Sequence, residues 1–395
     1  MFEFRILTKE DMYQQQELMQ YAFNPRENNY NNISIEEYDK YFKPVTFFGL
    51  FDGEVLASTL IIISFQQMIR GVSLPMAGIA GVATKPEYRR KGLVRKLFEE
   101  TYIYCKENNY PISTLYPFKV SYYEQFGYAW VENLTMITSW IDAIKKQNIT
   151  GYRVEEEKNY EKALERMRPI YKKYLLTTNG LIDRDTTTNS FNKRLDKGFF
   201  FFSVDKQGND TGYLVTWFVE DETIGIREII ALDIQTRKNL WNFISLHEGH
   251  RNLFKIPDYL PHSIQTYPYL KEPRVKKVEI IPNAMLRIVD IQKTLSNLQY
   301  ANISESITFT LIDPDCEWNN KTWYLSVDNG KGAISENSKE NVELKLDIKG
   351  LAQLIAGFRN TTELAEQQWI KGNLNAYMKL DRIFPKDFFI VRDFF

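Results

Sequence analysis

Apolar positions recur every second residue in some stretches of this chain and every three to four in others, and each change of period marks an element. Residues 2–7 alternate as a strand. Thr8, with Asp11 three positions on, then opens a helix over about 9–21 in the manner of a capping box. Residues 35–42 give a second, short helix. Two β-rich runs, 45–51 and 54–64, are joined by Asp52-Gly53, a two-residue hairpin signal. A further strand pair over 68–84 is interrupted near Gly71 and Pro75. The period then lengthens: over 89–107, Leu93, Val94, Leu97, Phe98, Tyr102 and Cys105 share one broad helical stripe. Residues 112–116 read as a short buried strand and 128–140 as a longer one.

The polar stretch 142–151 is a first boundary. Beyond it come a helix over 160–176, strands over 198–204, 212–219 and 222–231, and a helix over 236–247. The aromatic, proline-containing stretch 259–273 reads as irregular packing, and the run 278–289 leads across a second boundary near 283–290. The last part has strands over 307–313, 323–328 and 342–348, a polar loop over 330–341, and helices over 350–358 and 361–368. The first two segments share a coarse order of helix, central strands and helix, which suggests one fold used twice.

Composition narrows the function classes. At roughly 150 residues per domain, 395 residues make two or three domains. Fifty basic against 51 acidic side chains leave a net charge of −1, without the basic excess of a nucleic-acid-packaging protein. No apolar run approaches the ~20 residues of a membrane helix, and the opening Met1-Phe2-Glu3-Phe4-Arg5 lacks the basic and apolar regions of a signal peptide. Two cysteines, Cys105 and Cys316, make no disulfide framework, so a reducing, cytoplasmic setting is expected. The abundance of Tyr, Phe, Asn, Lys and Ile follows shared AT-rich codons and is no evidence of a stacking surface.

The sharpest chemical feature is the stretch Val82-Ala83-Thr84 followed by Arg89-Arg90-Lys91-Gly92-Leu93-Val94-Arg95. It reads as a small-residue strand, a proline-containing turn and a basic, glycine-bearing loop that opens into the amphipathic helix. The first amides of a helix have no internal partner and its N-terminal end attracts anions. Cations at that end oppose the dipole unless an anion sits among them, so the stretch reads as a phosphate cradle. It matches neither a Walker loop nor the dinucleotide-binding glycine fingerprint. His247 and His250, in His-Glu-Gly-His, lack the spacing of a helical zinc motif, and His262 stands alone, so no metal site is expected.

These residues resemble a known family. Val82-Ala83-Thr84 with Arg89-x-x-Gly92-x-Val94 is similar to the acetyl-CoA motif of GNAT N-acetyltransferases, with Val94 where Gly or Ala is usual. Tyr123-Glu124-Gln125-Phe126-Gly127-Tyr128 resembles the Tyr-x-x-Phe-Gly-Tyr element of the Eis (enhanced intracellular survival) branch. Met285-Leu286-Arg287-Ile288-Val289-Asp290 resembles the opening of that branch's third domain, and residues 351–372 its sterol-carrier-like helices. The resemblance spans essentially the whole chain. It implies an α/β (α+β) class, with tandem GNAT-like folds followed by a sterol-carrier-like α+β domain. The expected domains are 1–148 (catalytic, binding acetyl-CoA), 149–286 (GNAT-like, without the cofactor motif) and 287–395 (sterol-carrier-like, supplying the C-terminus). It further implies a homo-oligomer, as hexamer, while the charge balance and the lack of a long apolar run lead us to expect neither nucleic acid nor membrane as partner.

The resemblance also assigns roles. Val82, Ala83 and Thr84 would hold the pantetheine arm, and Arg90, Lys91, Gly92, Leu93, Val94 and Arg95 the pyrophosphate, with Phe118 and Lys119 along the cofactor. Tyr123 would be the acid that protonates the departing thiolate, and the α-carboxylate of Phe395 the base. The apolar run over 388–395 independently predicts a buried chain end, although chain ends usually fray. Cys105 lies on the buried stripe, which argues against an acetyl-cysteine intermediate. The expected activity is transfer of acetyl from acetyl-CoA to a primary amine of a small aminoglycoside-like or polyamine-like molecule. Acetylation of protein lysines and carriage of a lipid or sterol are the alternatives. Phe394 stands where an acidic residue would help to bind a cationic amine. Phe23, Tyr30 and Tyr38 are candidates for the acceptor pocket.

Overall fold

The computed structural model describes residues 2–23, 45–184, 198–219, 222–258, 266–272, 275–337 and 341–395. The helix expected over 35–42, together with Tyr30, Tyr38 and His262, lies outside these residues. Among the described residues no helix is long and apolar enough to cross a membrane. The chain forms two compact units. One gathers the chain up to Glu132, a short stretch from Asn179, and Asn283–Phe395; the other holds Asn133–Thr178 and the strands that end at Pro282.

The first unit is built on β1 (Glu3–Ile6), α1 (Met12–Phe23), β2 (Val45–Asp52), β3 (Val55–Ile69), β4 (Val72–Thr84), α2 (Leu93–Glu107), β5 (Ile112–Leu115), α3 (Val120–Glu124) and β6 (Ala129–Trp130). Its seven-stranded sheet has the order β1-β2-β3-β4-β5, then the strand Met285–Ile288, then β6. β3 is buried along almost its whole length because both its faces are covered. Ile61, Ile63 and Phe65 join one hydrophobic cluster, and Leu60 and Ile62 join the other. Leu93, Leu97, Phe98, Tyr102 and Cys105 of α2 are buried in that second cluster, as their spacing predicts. Pro75 does not interrupt β4, which turns from β3 at Arg70-Gly71; the ladder to β5 starts one residue later, at Met76.

Two sequence expectations change here. The strand read over 128–140 is two strands in different sheets: β6 stays in the first, while Asn133–Trp140 pairs with Leu253–Asp258 and Lys277–Pro282 in the second. Conversely, Met285–Ile288 leaves its neighbour Lys277–Pro282 and pairs with β5 and β6. The sheets thus exchange the chain at Glu132 and Asn283, not at the polar stretch after residue 141, because backbone pairing and not local polarity decides membership. The second unit's sheet runs Lys277–Pro282, Asn133–Trp140, Leu253–Asp258, Thr223–Ala231, Asp210–Val219, Phe199–Val204, Arg153–Glu157. Its helices Tyr160–Leu175 and Ile234–Ser245 are capped by the side chains of Asn159 and Asp233.

After Met285–Ile288 the chain forms a five-stranded sheet, ordered Lys331–Glu336, Thr322–Asp328, Ser304–Ile312, Leu344–Asp347, Ile370–Gly372. Lys331–Glu336, read from sequence as part of a polar loop, is an edge strand with Ile334 as its buried side chain. The helix Ile348–Ala356 is buried except at Lys349 and shares a cluster with Leu286 and Ile288. Arg70, at the β3–β4 turn, donates to the carbonyls of Ile355 and Leu354 at that helix's C-terminus, each at 2.8 Å.

Arg287 is fully buried on the strand Met285–Ile288. It pairs with Asp313 at 2.6 Å, donates to the Ile288 carbonyl at 2.8 Å and lies 4.9 Å from the centre of the Tyr102 ring. Gly127 has φ +76°, and a Cβ there would come within 2.8 Å of the Arg287 Nε, so this turn needs glycine for both conformation and room. The chain end is anchored as well. The Val391 amide donates to Glu132 Oε1 at 2.9 Å, and Asn283 Nδ2 donates to Glu132 Oε2 at 2.7 Å. Burial pushes the Glu132 carboxyl up to about 8, although the Val391 amide, Asn283 and Arg392 all favour its charge.

Arg287→Ala strands a buried carboxylate and is expected to cost about 3–5 kcal/mol in urea unfolding, against about 0–1 kcal/mol for breaking the exposed Arg382–Glu305 pair. Equal losses would show that burial does not set the value of this pair. Glu132 makes stability pH-dependent with a defined sign. Its folded form keeps a proton that the unfolded carboxyl releases at its ordinary 4.5, so the contribution is complete below 4.5 and is lost as pH rises through about 8. The melting temperature of the native protein, compared with that of Glu132→Gln, should therefore fall between pH 5 and pH 8.5. A constant difference would place the carboxyl's titration elsewhere.

Candidate active site

The sheet of the first unit opens between β4 and β5. The two pair in parallel from Met76 with Ile112 to Ile79 with Leu115, where β5 ends while β4 runs on to Thr84. A register shift against β3 lies at the same point: Ile61 faces Ala80 and Thr59 faces Ala83, so Gly81 and Val82 together oppose Leu60. This is a β-bulge, with Gly81 left-handed at φ +56°. A small-residue strand can bulge there without expelling a side chain from the core. The result is a length of β4 backbone around Val82 with no strand on its β5 side among the described residues. Val82 and Thr84 are half-buried and Ala83 is buried.

The chain then turns through Pro86–Tyr88 into the basic loop. Arg90 at φ 61° and Gly92 at φ 78° are both left-handed, and Gly92 precedes α2. The first intrahelical bond runs from the Lys96 amide to the Gly92 carbonyl at 3.2 Å, so the amides of Leu93, Val94 and Arg95 precede the helical ladder. Nothing lies within 4 Å of a Cβ placed on Gly92, and the loop from Arg89 to Gly92 is exposed. Leu93 and Val94 contribute backbone; their side chains pack into the second cluster. The cations differ in their freedom. Arg95 is held by Asp315 at 3.0 Å and by the Gln125 carbonyl at 3.1 Å, Arg89 reaches the Thr84 carbonyl at 3.3 Å, and Lys91 lies 4.8 Å over the Tyr88 ring. Arg90 makes no hydrogen bond to a described residue. The residues thus present an exposed, cationic helix start beside an unpaired strand, which fits a long ligand bearing phosphates at one end and amides along its arm.

Tyr123 lies on α3, buried beside Phe98 of α2 at 6.3 Å between ring centres, with Phe118 at 5.6 Å, Tyr122 at 5.2 Å and Tyr128 at 6.4 Å. Among the described residues its hydroxyl has no hydrogen-bond partner. Burial, with a smaller contribution from Tyr122, pushes its pKa well above the ordinary phenol value. Phe118 is 75% exposed, and Lys119, also exposed, precedes α3.

The chain end packs on β4 at Gly78, one residue before its ladder to β5 ends. The Phe395 ring lies 4.6 Å from that of Phe65 and 5.4 Å from that of Tyr116, and it covers Gly78, where a Cβ would come within 2.8 Å of it. Gly78 is thus where β4 admits the terminal ring. Tyr116 donates its hydroxyl to the Asp393 carbonyl at 2.9 Å, and Arg184 pairs with Asp393 at 3.0 Å. Phe395 packs on the face of the first cluster and Tyr123 belongs to the second. Beyond Ile79 and Leu115 no β4–β5 ladder separates these faces.

The sequence reading named Tyr123, Phe395 and the loop, but not the groups that hold the terminus. Tyr116, Glu132, Arg184 and Asn283 are far apart in the chain, and no local spacing marks them. Arg287 carried a weak signal, as a single charge within an apolar strand.

Similarity to known proteins agrees with this geometry. Residues 3–131 match the acetyltransferase (GNAT) domain and residues 291–387 the sterol carrier protein domain. An uncharacterized N-acetyltransferase of Streptomyces griseus is 22% identical over 337 residues, 77% of this chain and 78% of that one. A conserved Enterococcus faecalis V583 protein of unknown function superposes with a TM-score of 0.90 at 23% identity, and Eis1 of Mycobacterium abscessus with 0.81 at 14%; each match covers 100% of both chains. At such identities the likeness to solved structures carries the fold, while the matched domain carries the chemistry. The chain therefore carries a GNAT acetyltransferase domain and a sterol carrier protein domain, with an N-acetyltransferase activity of the GNAT type, in a fold shared with these solved structures.

Proposed function

We propose that the protein transfers the acetyl group of acetyl-CoA directly to a primary amine of a small, aminoglycoside-like or polyamine-like molecule, with both substrates bound together. The observation that carries this reading is the opening beyond Ile79 and Leu115, which has Tyr123 against one face of the sheet and the last residue against the other. Acetyl-CoA supplies the acetyl group as a thioester. The backbone of Val82, Ala83 and Thr84 would hold its arm, and the amides from Arg90 to Arg95, with the Arg90 and Lys91 charges, its phosphates. Phe118, exposed beside Tyr123, would cover the same ligand along with Lys119.

The α-carboxylate of Phe395 would take the proton that the attacking amine must lose, and Tyr123 would donate its hydroxyl proton to the departing sulfur. A phenol raised by burial stays protonated until that sulfur needs it, but it is then a weaker acid, so transfer must be concerted with C–S cleavage. Neither thiol competes as a nucleophile. Cys105 and Cys316 are both buried, and burial pushes the first far up and the second to about 12. The sterol carrier part supports a positioning role, since Leu351, Leu354 and Ile355 are packed into the chain's own core. The one acidic side chain among the last five residues, Asp393, is paired with Arg184, and half-exposed Phe394 lies 4.6 Å from Tyr116. Among such amines, one with an apolar or aromatic part beside its reacting nitrogen fits this lining best.

Tyr123→Phe is expected to lower kcat by about 10²-fold, measured as CoA release with the best amine of a panel, and to leave acetyl-CoA affinity within a few-fold. Unchanged kcat would remove Tyr123 from the chemistry. Deleting Phe395 should lower kcat by at least as much while thermal stabilisation by acetyl-CoA is kept. Full turnover of the shortened chain would end the terminal-base reading.

A further inference from the structure

We propose that Glu132 is a positioning residue for the reaction, setting where the terminal carboxylate stands by fixing the backbone four residues before it. This rests on the reading of Phe395 as the base. A carboxyl 2% exposed is a costly way to hold a backbone amide, because a buried polar group needs a hydrogen-bond partner for each of its oxygens. Its own backbone is fixed first: the Asn283 amide donates to the Glu132 carbonyl at 3.0 Å, and the Val131 amide to that of Ala284 at 3.1 Å. With the main chain held on both sides, one carboxyl oxygen receives the Val391 amide and the other Asn283 Nδ2, which also reaches the Val391 carbonyl at 3.3 Å.

Val391 is the pivot of the terminal segment. Upstream, the Ile390 amide donates to the Asn179 carbonyl at 2.9 Å, which ends the tail's pairing with the neighbouring segment. Downstream, four residues of extended chain could swing an unanchored terminus by about 13 Å at ~3.3 Å per residue. The Arg184–Asp393 pair and the Tyr116–Asp393 bond hold the middle of that span, and the Phe395 ring over Gly78 holds its end. These later contacts lie within reach only if the chain leaves Val391 in one direction, and Glu132 fixes that direction. A misplacement of 1 Å at a reacting group can cost about 10²-fold in rate.

The experiment compares Glu132→Ala, Glu132→Gln, Asn283→Ala, the chain lacking Phe395, and that shortened chain carrying Glu132→Ala. Glu132→Ala should lower kcat by about 10²-fold with the KM for acetyl-CoA unchanged. Glu132→Gln, which retains an acceptor for the Val391 amide, should recover kcat to within a few-fold, and Asn283→Ala should fall between. In the shortened chain Glu132→Ala should cost nothing further, because the group it positions is gone. A kcat unchanged by Glu132→Ala, or a further loss in the shortened chain, overturns the inference. So does a loss that Glu132→Gln fails to recover. If Glu132→Ala does not fold, Asn283→Ala and Glu132→Gln decide by the same criteria. If the shortened chain keeps full turnover, it is the terminal-base reading that fails, whatever Glu132→Ala does.

Discussion

The buried ion pair of Arg287 and Asp313 ties together the parts of the first unit that chemistry needs. Arg287 stands on the strand that re-enters the first sheet after the chain has built the second. Its guanidinium presses on Gly127, in the turn that carries Tyr123 away from β6, and lies over Tyr102 of α2. A charge there is tolerable only with a bonded partner, and Asp313 comes from the sterol carrier part. One interaction therefore fixes the phenol-bearing turn, the helix behind the phosphate loop and the C-terminal sheet against one another. Apolar contacts alone could do this with less loss of solvation, but they would not demand a particular register.

The chain end meets a related constraint. On the proposed reading, the terminal carboxylate must be held without being neutralised. The tail meets this by anchoring its backbone and leaving its last group free: Val391 on Glu132, Asp393 on Arg184 and Tyr116, and the Phe395 ring on Gly78 and Phe65. No described side chain hydrogen-bonds or ion-pairs with Phe395. The cations close to the opening likewise differ in their freedom. Arg95 is committed to Asp315, whereas Arg90 remains open.

Much of this was legible in the sequence where the signal was local. The stripe of α2 follows from residue spacing, and the basic loop was legible as cations around a glycine at a helix start. The apolar chain end was legible in part: Phe389, Ile390 and Val391 are buried as their hydrophobicity predicts and Phe395 is half-buried, whereas Phe388 and Phe394 are exposed. The exchange of strands between sheets was not legible. Asn133–Trp140 and Lys277–Pro282 read like any other half-buried strands, and which partner they choose is settled by backbone pairing across more than a hundred residues. Lys331–Glu336 was missed because an edge strand needs a ladder on one side and few apolar side chains.

By itself, then, the sequence determined the local periodicities, the glycine and cations of the basic loop, the tyrosine of the Tyr-x-x-Phe-Gly-Tyr element and the burial of Phe389, Ile390 and Val391 near its end. Each depends on neighbours within a helical turn or a strand's length, so spacing encodes it. Only the tertiary structure decided that β4 and β5 part at Ile79, that Phe395 lies over Gly78, and that Glu132, Asn283, Tyr116 and Arg184 converge on the tail. Those are contacts between groups remote along the chain, and their energies exist only once the sheet has closed around them.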